Sequence, residues 1–320
     1  MPSPTPLRRP LSIARAVGAV VVLAGLVVAG CATPNTASTV PSGLLALTGS
    51  GDTTTLTAWD ADRAKGTPVD LPDGGTTWIS AGRARVLVAT MAKGTTATSR
   101  PLDLSSDTAW QPVKPKPDAS GDPPPAPLSF ATWDPSGGRY AVLGGDLLSN
   151  DPISVVLIDP SVSTFFDIAI DRDVVAAPPA WIDEDRLVVV TGDGRAPTSA
   201  IVDVANSEVV DGPSGARLIA ASANGKRVAT MAKQGAPVMV RDMAGWLAGD
   251  GSAIATLAPP DGASTAISFA LDTTGQRLVI AWVDDKGKVT LAVHDASADW
   301  SRVAEPKIPS ATGAVVAWMR

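Results

Sequence analysis

The stretch ATWDPSGGRYAVLGG, residues 131–145, decides the fold. It reads as an apolar run, a turn built from Asp, Pro, Ser and Gly, and a second apolar run entered through Arg139. Turn residues between two β-rich runs mark an antiparallel hairpin. The same grammar recurs at TWISAGRARVLVATMA (77–92), AWIDEDRLVVVTG (180–192), AASANGKRVATMA (220–232) and FALDTTGQRLVIAW (269–282). The arginines that lead the second runs are Arg85, Arg139, Arg186, Arg227 and Arg277, spaced 54, 47, 41 and 50 residues apart. A supersecondary unit repeated at that period is the mark of a propeller or solenoid.

A second marker keeps the same register. After each hairpin a polar loop leads into another β-rich run that ends in aspartate: Asp60, Asp103, Asp159, Asp203, Asp242 and Asp295. Six such aspartates stand against five Arg-led strands. The difference locates the ends of the chain. Asp60 belongs to a unit whose Arg-led strand is replaced by GLLALTG (43–49) and whose innermost strand is AVVAWM (314–319). Pairing the two chain ends in one sheet closes a ring and removes an open edge.

Short strands, about four per unit, therefore predict an all-β chain: a six-bladed β-propeller over residues 42–320, closed by N- and C-terminal strands in one blade. A sandwich or a two-domain β protein is the competing layout. The 28 prolines leave few long windows for helix. The WDPSGGR entry resembles the repeat of TolB-type propellers, which are six-bladed and periplasmic. That resemblance implies architecture over 42–320; the match is good in only one or two repeats, and fold alone says little about function.

The N-terminus has a different composition. Arg8, Arg9 and Arg15 precede any acidic residue, the first of which is Asp52, and Ala16–Ala29 is an unbroken run of apolar residues and glycine. That run suits a signal-peptide core and is short for a membrane span. It ends in Val28-Ala29-Gly30-Cys31, which resembles the lipobox of bacterial lipoproteins. The resemblance implies cleavage before Cys31 and diacylation of its thiol, with residues 1–30 a signal peptide and 31–41 a lipidated tether. A signal cut elsewhere and an uncleaved anchor are the alternatives. Two acyl chains anchor stably where one does not. ATPNTASTVP (32–41) has nothing to bury and reads as a flexible linker. These features predict a chain held at the cell membrane by its N-terminal lipid and facing away from the cytoplasm.

Charge then excludes one class of partner. The whole chain carries a net charge of −6; loss of the signal removes three arginines and no acid, leaving −9. Nucleic acid requires a basic footprint, which is missing.

Little chemistry is on offer. His294 is the sole histidine and Cys31 the sole cysteine, so triads and Cys/His metal sites lack partners. Glutamate is limited to Glu184, Glu208 and Glu305, and Tyr140 falls in a repeat strand whose equivalents are apolar. No catalytic residue, metal ligand or cofactor is assigned. The tryptophans Trp78, Trp133, Trp181 and Trp318 share one phase of the repeat and are expected to pack between blades. The strand-ending aspartates are expected to cap turns, and the Arg residues to bind turn carbonyls or neighbouring acids.

Binding residues sit on loops held by a rigid scaffold. The loops joining second and third strands place Lys93, Asp151, Arg195, Lys233, Asp285, Lys286 and Lys288 on one face, the candidate binding face. The proline-rich stretch WQPVKPKPDASGDPPPAPLSF (110–130) is expected to be a stiff excursion between blades, with a polyproline ligand as the other reading. The function that follows is a non-catalytic binding or scaffold protein of the envelope, with an envelope protein as partner and a small ligand possible. The alternative is a hydrolase or lactonase with a metal held by Asp and Asn in the propeller channel.

Overall fold

In the computed structural model the chain divides into residues 1–37 and residues 38–320. The residues described are 43–50, 53–59, 67–69, 76–81, 85–91, 97–103, 127–144, 153–159, 164–174, 177–192 and 195–319, all in the second unit. Cys31, the signal segment 1–30 and the tether 31–41 lie outside them, as do Asp60, Lys93 and Asp151.

The second unit is a β-propeller. Sheet 1 contains β1 (Leu44–Ser50), β2 (Thr53–Trp59) and β3 (Thr67–Val69); sheet 2 contains β4 (Thr76–Ala81), β5 (Arg85–Met91) and β6 (Ala97–Asp103). Sheet 3 runs β7 (Pro127–Trp133), β8 (Tyr140–Gly144), β9 (Ile153–Asp159) and β10 (Thr164–Ile170). Sheet 4 runs β11 (Ala180–Trp181), β12 (Arg186–Thr191), β13 (Thr198–Asp203) and β14 (Glu208–Asp211). Sheet 5 has β15 (Leu218–Ala221), β16 (Arg227–Met231), β17 (Val238–Asp242) and β18 (Ala255–Leu257), with a short helix α1 (Met243–Leu247) after β17. Sheet 6 has β19 (Ala263–Leu271), β20 (Arg277–Asp284), β21 (Val289–Asp295) and β22 (Ser301–Ala304).

The last strand, β23 (Gly313–Trp318), returns to sheet 1 and pairs antiparallel with β1, from Leu44 opposite Trp318 to Gly49 opposite Gly313. The expected closure by the two ends of the chain is what the structure has. The first strands β23, β4, β7, β11, β15 and β19 pack one on the next in a closed circuit.

The blade count is corrected. Five sheets have the full four strands, not the six expected, and sheet 2 has three among the described residues. Of the proline-rich stretch 110–130, residues 110–126 lie outside the described residues. Its last residues, Pro127–Phe130, begin β7, with proline at the strand's first position where it is tolerated.

Middle strands are covered on both sides, so they are buried along their length rather than alternately. Val155–Leu157 in β9 and Leu187–Val190 in β12 show this continuous burial. The core is correspondingly divided into wedges. Val238, Val240 and Leu257 of sheet 5 meet Leu278, Ile280 and Trp282 of sheet 6. Leu44, Ala46 and Val316 of sheet 1 meet Val279, Ala281 and Leu291 of sheet 6. Leu45, Leu47 and Leu56 meet Ile79 of sheet 2.

Candidate functional site

The antiparallel sheets give the unit two faces. Turns joining first to second and third to fourth strands leave from one; loops joining second to third strands, and links between sheets, leave from the other.

The turn face is built from one repeated device. Asp134, Asp183 and Asp272 end the first strand or follow it and fold back over their own turn. Asp134 Oδ1 accepts from Gly138 N at 3.0 Å, Asp183 Oδ1 from Arg186 N at 2.8 Å, and Asp272 Oδ1 from Gln276 N at 2.8 Å. In sheet 5 the residue at this place is Ser222, whose hydroxyl accepts from Arg227 N at 3.0 Å. Glycines complete the turns with left-handed backbones: Gly137 at φ 73°, Gly225 at 67° and Gly275 at 68°.

The two sequence markers meet here. Arg85 lies opposite Asp103, Arg186 opposite Asp203, Arg227 opposite Asp242 and Arg277 opposite Asp295 in strand register. Arg227 binds Asp242 at 2.9 Å and Arg277 binds Asp295 at 3.0 Å. The same aspartates cap the next turn: Asp242 accepts from Gly245 N at the start of α1, Asp203 from Asn206 N, and Asp295 from Ser297 N. The hydroxyl of Ser297 and the Arg277 guanidinium hold the Asp295 carboxyl below the usual carboxylate range. Hydrogen bonds from Asn206 do the same for Asp203.

Neighbouring turns also interlock. Arg139 of sheet 3 reaches Asp185 at 3.2 Å and the Glu184 carbonyl of sheet 4, and lies 5.6 Å over the Trp181 ring. It occupies a cleft of about 520 Å³ whose carboxylates include Asp134, Asp159, Glu184 and Asp185. Asn224 of sheet 5 donates to the Thr274 carbonyl of sheet 6 at 2.8 Å.

The inner strands enclose a small cavity of about 110 Å³, walled by residues such as Ile79, Pro179, Ala220, Ala270 and Ala317. Its polar side chains are Ser80 and Thr132, and its lining contains no Asp or Asn among the described residues. The carboxylate-held metal of the alternative reading therefore has no ligands in that wall. No group of three or more His, Cys, Asp or Glu suited to a metal occurs elsewhere among the described residues.

Trp133, Trp181 and Trp318 seal the wedges, as the repeat predicted, while the Trp78 side chain lies outside those described. Trp181 Nε1 donates to the Thr132 carbonyl of the preceding sheet at 3.1 Å, and Trp318 Nε1 to the Ala270 carbonyl of its preceding sheet at 3.0 Å. Trp133 is fully buried and meets Tyr140 edge-on at 5.3 Å. Burial pushes the Tyr140 phenol above its ordinary value. It packs in a core cluster with Ala131, Trp133 and Val142.

The loop face is different in kind. Arg195, Lys233 and the Asp285–Lys288 loop emerge from sheets 4, 5 and 6, each between a second and a third strand, and all five predicted residues there are exposed. Asp284 forms the last of these loops: its Oδ1 accepts from Lys286 N at 2.9 Å and Lys288 N at 2.7 Å, with Gly287 at φ 78°. The loop of Lys233 is pinned to sheet 6 by Gly235 N donating to Thr265 Oγ1 at 2.9 Å. Backbones are thus fixed while Lys233, Lys286 and Lys288 make no ion pair among the described residues. The structure puts these residues on one face without joining them into a single pocket.

Sequence reading overlooked the links between sheets on this face. Arg172 pairs with Asp211 across sheets 3 and 4, and Arg217 and Lys307 are exposed in links. Their signal was position, since a link leaves its sheet at the same end as the second-to-third-strand loop.

Comparisons place the fold. TolB from Acinetobacter baumannii superposes with a TM-score of 0.62 at 14% identity, over 86% of this chain and 66% of that one, so the chain spans just under two thirds of the TolB chain. A chain of a nidogen/laminin complex superposes at 0.57 with 9% identity, over 86% and 98%. At such identities the likeness is one of fold, that of a β-propeller. No protein-family model matches the sequence, and no curated protein matches it either.

Proposed function

We propose that this chain is a lipid-anchored, non-catalytic β-propeller of the cell envelope that binds a protein partner through its loop face. The observation that carries the reading is the contrast between the faces. Turn-face Asp and Arg side chains largely satisfy one another, whereas the loop face holds exposed Lys233, Lys286 and Lys288 on fixed backbones. A rigid scaffold with unsatisfied side chains on its loops is the usual form of a binding surface. The neighbours favour the same role, one of them being a chain of this fold from a protein–protein complex. Val28-Ala29-Gly30-Cys31 supplies the anchor, and a tethered propeller meets envelope partners at raised effective concentration.

Mild crosslinking in cells, followed by capture and mass spectrometry, tests the partner. One dominant envelope protein is expected, lost when Lys233, Lys286 and Lys288 are changed to Ser. The loss must persist with a crosslinker that does not use amines. Capture unchanged in the variant moves the binding surface elsewhere. For the anchor, Cys31→Ser is expected to abolish fatty-acid labelling; labelling that survives the change refutes acylation at that residue.

A further inference from the structure

We infer that the outer strand of sheet 3, β10, is a second binding site, which takes an extended protein segment of apolar and basic residues as a further strand of its sheet. The inference goes beyond the loop-face reading and does not depend on it.

The outermost strand of a sheet offers unpaired N–H and C=O groups, and proteins blunt such edges by shortness, charge or proline. The other outer strands among the described residues follow that rule. β3 has three residues around Pro68, and β18 has three. β14 and β22 have four each, with charges at Glu208, Asp211 and Arg302. β6, the outermost described strand of sheet 2, has seven residues but contains Arg100 and Pro101. β10 also has seven, TFFDIAI, with no proline, no glycine and one charge. It pairs with β9 along its whole length and with no strand on its other side among the described residues. About half of its residues therefore turn their backbone groups outward, along an edge long enough to hold a partner strand.

Alternation gives the added strand two different sides to match. Ile168 and Ile170 are buried in a cluster with Trp181, Leu187 and Val189 of sheet 4. Phe166 shares their side of the strand but is 46% exposed, so apolar surface is left uncovered there. On the other side Asp167 and Ala169 are exposed, and Asp167 makes no ion pair among the described residues. Asp171 and Asp173 follow the strand, both exposed, while Arg172 between them is engaged by Asp211. The charge left at this edge is negative. A partner strand with apolar residues on one side and Lys or Arg opposite Asp167 complements it, since opposite charges across two strands attract and like charges repel. A second copy of this chain does not: it brings its own acids to the edge, and the chain as a whole carries a net charge of −6.

Full-length protein in detergent is screened against a displayed library of random peptides of about nine residues, enough to span β10. The peptides recovered are expected to alternate apolar residues with Lys or Arg and to lack proline. One of them, synthesised, should slow amide exchange over residues 164–170 by about tenfold or more at saturation. Asp167→Lys should weaken that peptide about fivefold and leave the melting temperature unchanged; Glu in place of the peptide's basic residue should restore binding to the variant. Binding should persist when Lys233, Lys286 and Lys288 are changed to Ser, which separates this edge from the loop face. Peptides that bind the Asp167→Lys variant equally, or that protect other segments, overturn the proposal, as does a library that yields none. A dimer of the free protein that protects residues 164–170 assigns the edge to a second copy and overturns it too.

Discussion

At His294 the burial of one side chain sets a pH dependence. Its ring is buried in β21, with Nδ1 2.9 Å from the Trp300 carbonyl. A carbonyl only accepts, so Nδ1 carries the proton of the neutral ring. Loss of solvent lowers the pKa below the ordinary 6.5; the bond to Trp300 works the other way, and Arg302, opposite in register, adds to the lowering. A histidine whose folded pKa lies below its unfolded one takes up a proton more readily when unfolded. Its contribution is therefore complete above about pH 6.5 and is lost as the pH falls from there toward the folded value. Asp203, Asp250 and Asp295 are held low and act only in more acidic solution. Urea titrations are expected to show stability falling from pH 7 to pH 5. His294→Asn, whose amide has the same donor, should flatten that fall; an unchanged slope assigns it to other groups. The bond also braces Trp300, a buried residue with φ at 57° next to Asp299 at 52°, a backbone that costs roughly 1–2 kcal/mol per residue without glycine.

Among elements, the turns between first and second strands carry the most specific packing. A Cβ at Gly275 would lie 2.8 Å from Arg227 Cγ and 3.1 Å from Ser222 Cβ, in the turn of the neighbouring sheet. A Cβ at Gly287 on the loop face would meet nothing within 4 Å. Both glycines are left-handed, so alanine pays the backbone penalty at each, and only Gly275→Ala adds a collision between sheets. Gly275→Ala is expected to cost about 2–4 kcal/mol and Gly287→Ala about 1 kcal/mol. Chemical denaturation of the two variants checks the difference; equal losses mean that the turns do not bear on each other. These turns also show what was legible beforehand. The Asp-Gly-Arg grammar and the strand-ending aspartates stood out as periodic marks, because each turn poses the same backbone problem. That the arginines bind acids was expected, but which acids was not legible, since Arg227 and Asp242 are fifteen positions apart and only strand register brings them opposite. In sheet 2 the described strands β4, β5 and β6 follow the repeat. On the loop face, position and exposure were foreseeable from topology. The Asp284 turn that fixes Lys286 and Lys288 depends on local hydrogen bonds that periodicity does not report.

For the molecule as a whole, everything hangs on a closure made by one six-residue strand. β23 completes sheet 1, covers Leu44 and Ala46, and lays Trp318 against sheet 6 through the Ala270 carbonyl. Without it the edge of β1 is open and two wedges lose a wall, the one shared with sheet 6 and the one where Ala317 meets Ile79. Removal of one buried tryptophan costs roughly 3–5 kcal/mol, against a total stability of about 5–15 kcal/mol for an ordinary domain. Deleting residues 312–320 should therefore abolish the cooperative thermal transition and leave a chain prone to edge-to-edge association. Trp318→Phe keeps an aromatic ring but removes the hydrogen bond and part of the buried indole, so it should cost about 2–3 kcal/mol and retain a single transition. A synthetic peptide of residues 312–320, added in excess to the shortened chain, should restore the transition by mass action, with a midpoint that rises with peptide concentration. Calorimetry distinguishes the cases. A shortened chain that melts like the whole protein would show that the other sheets hold the ring without its closing strand; rescue by the peptide would show that the closure itself sets the stability.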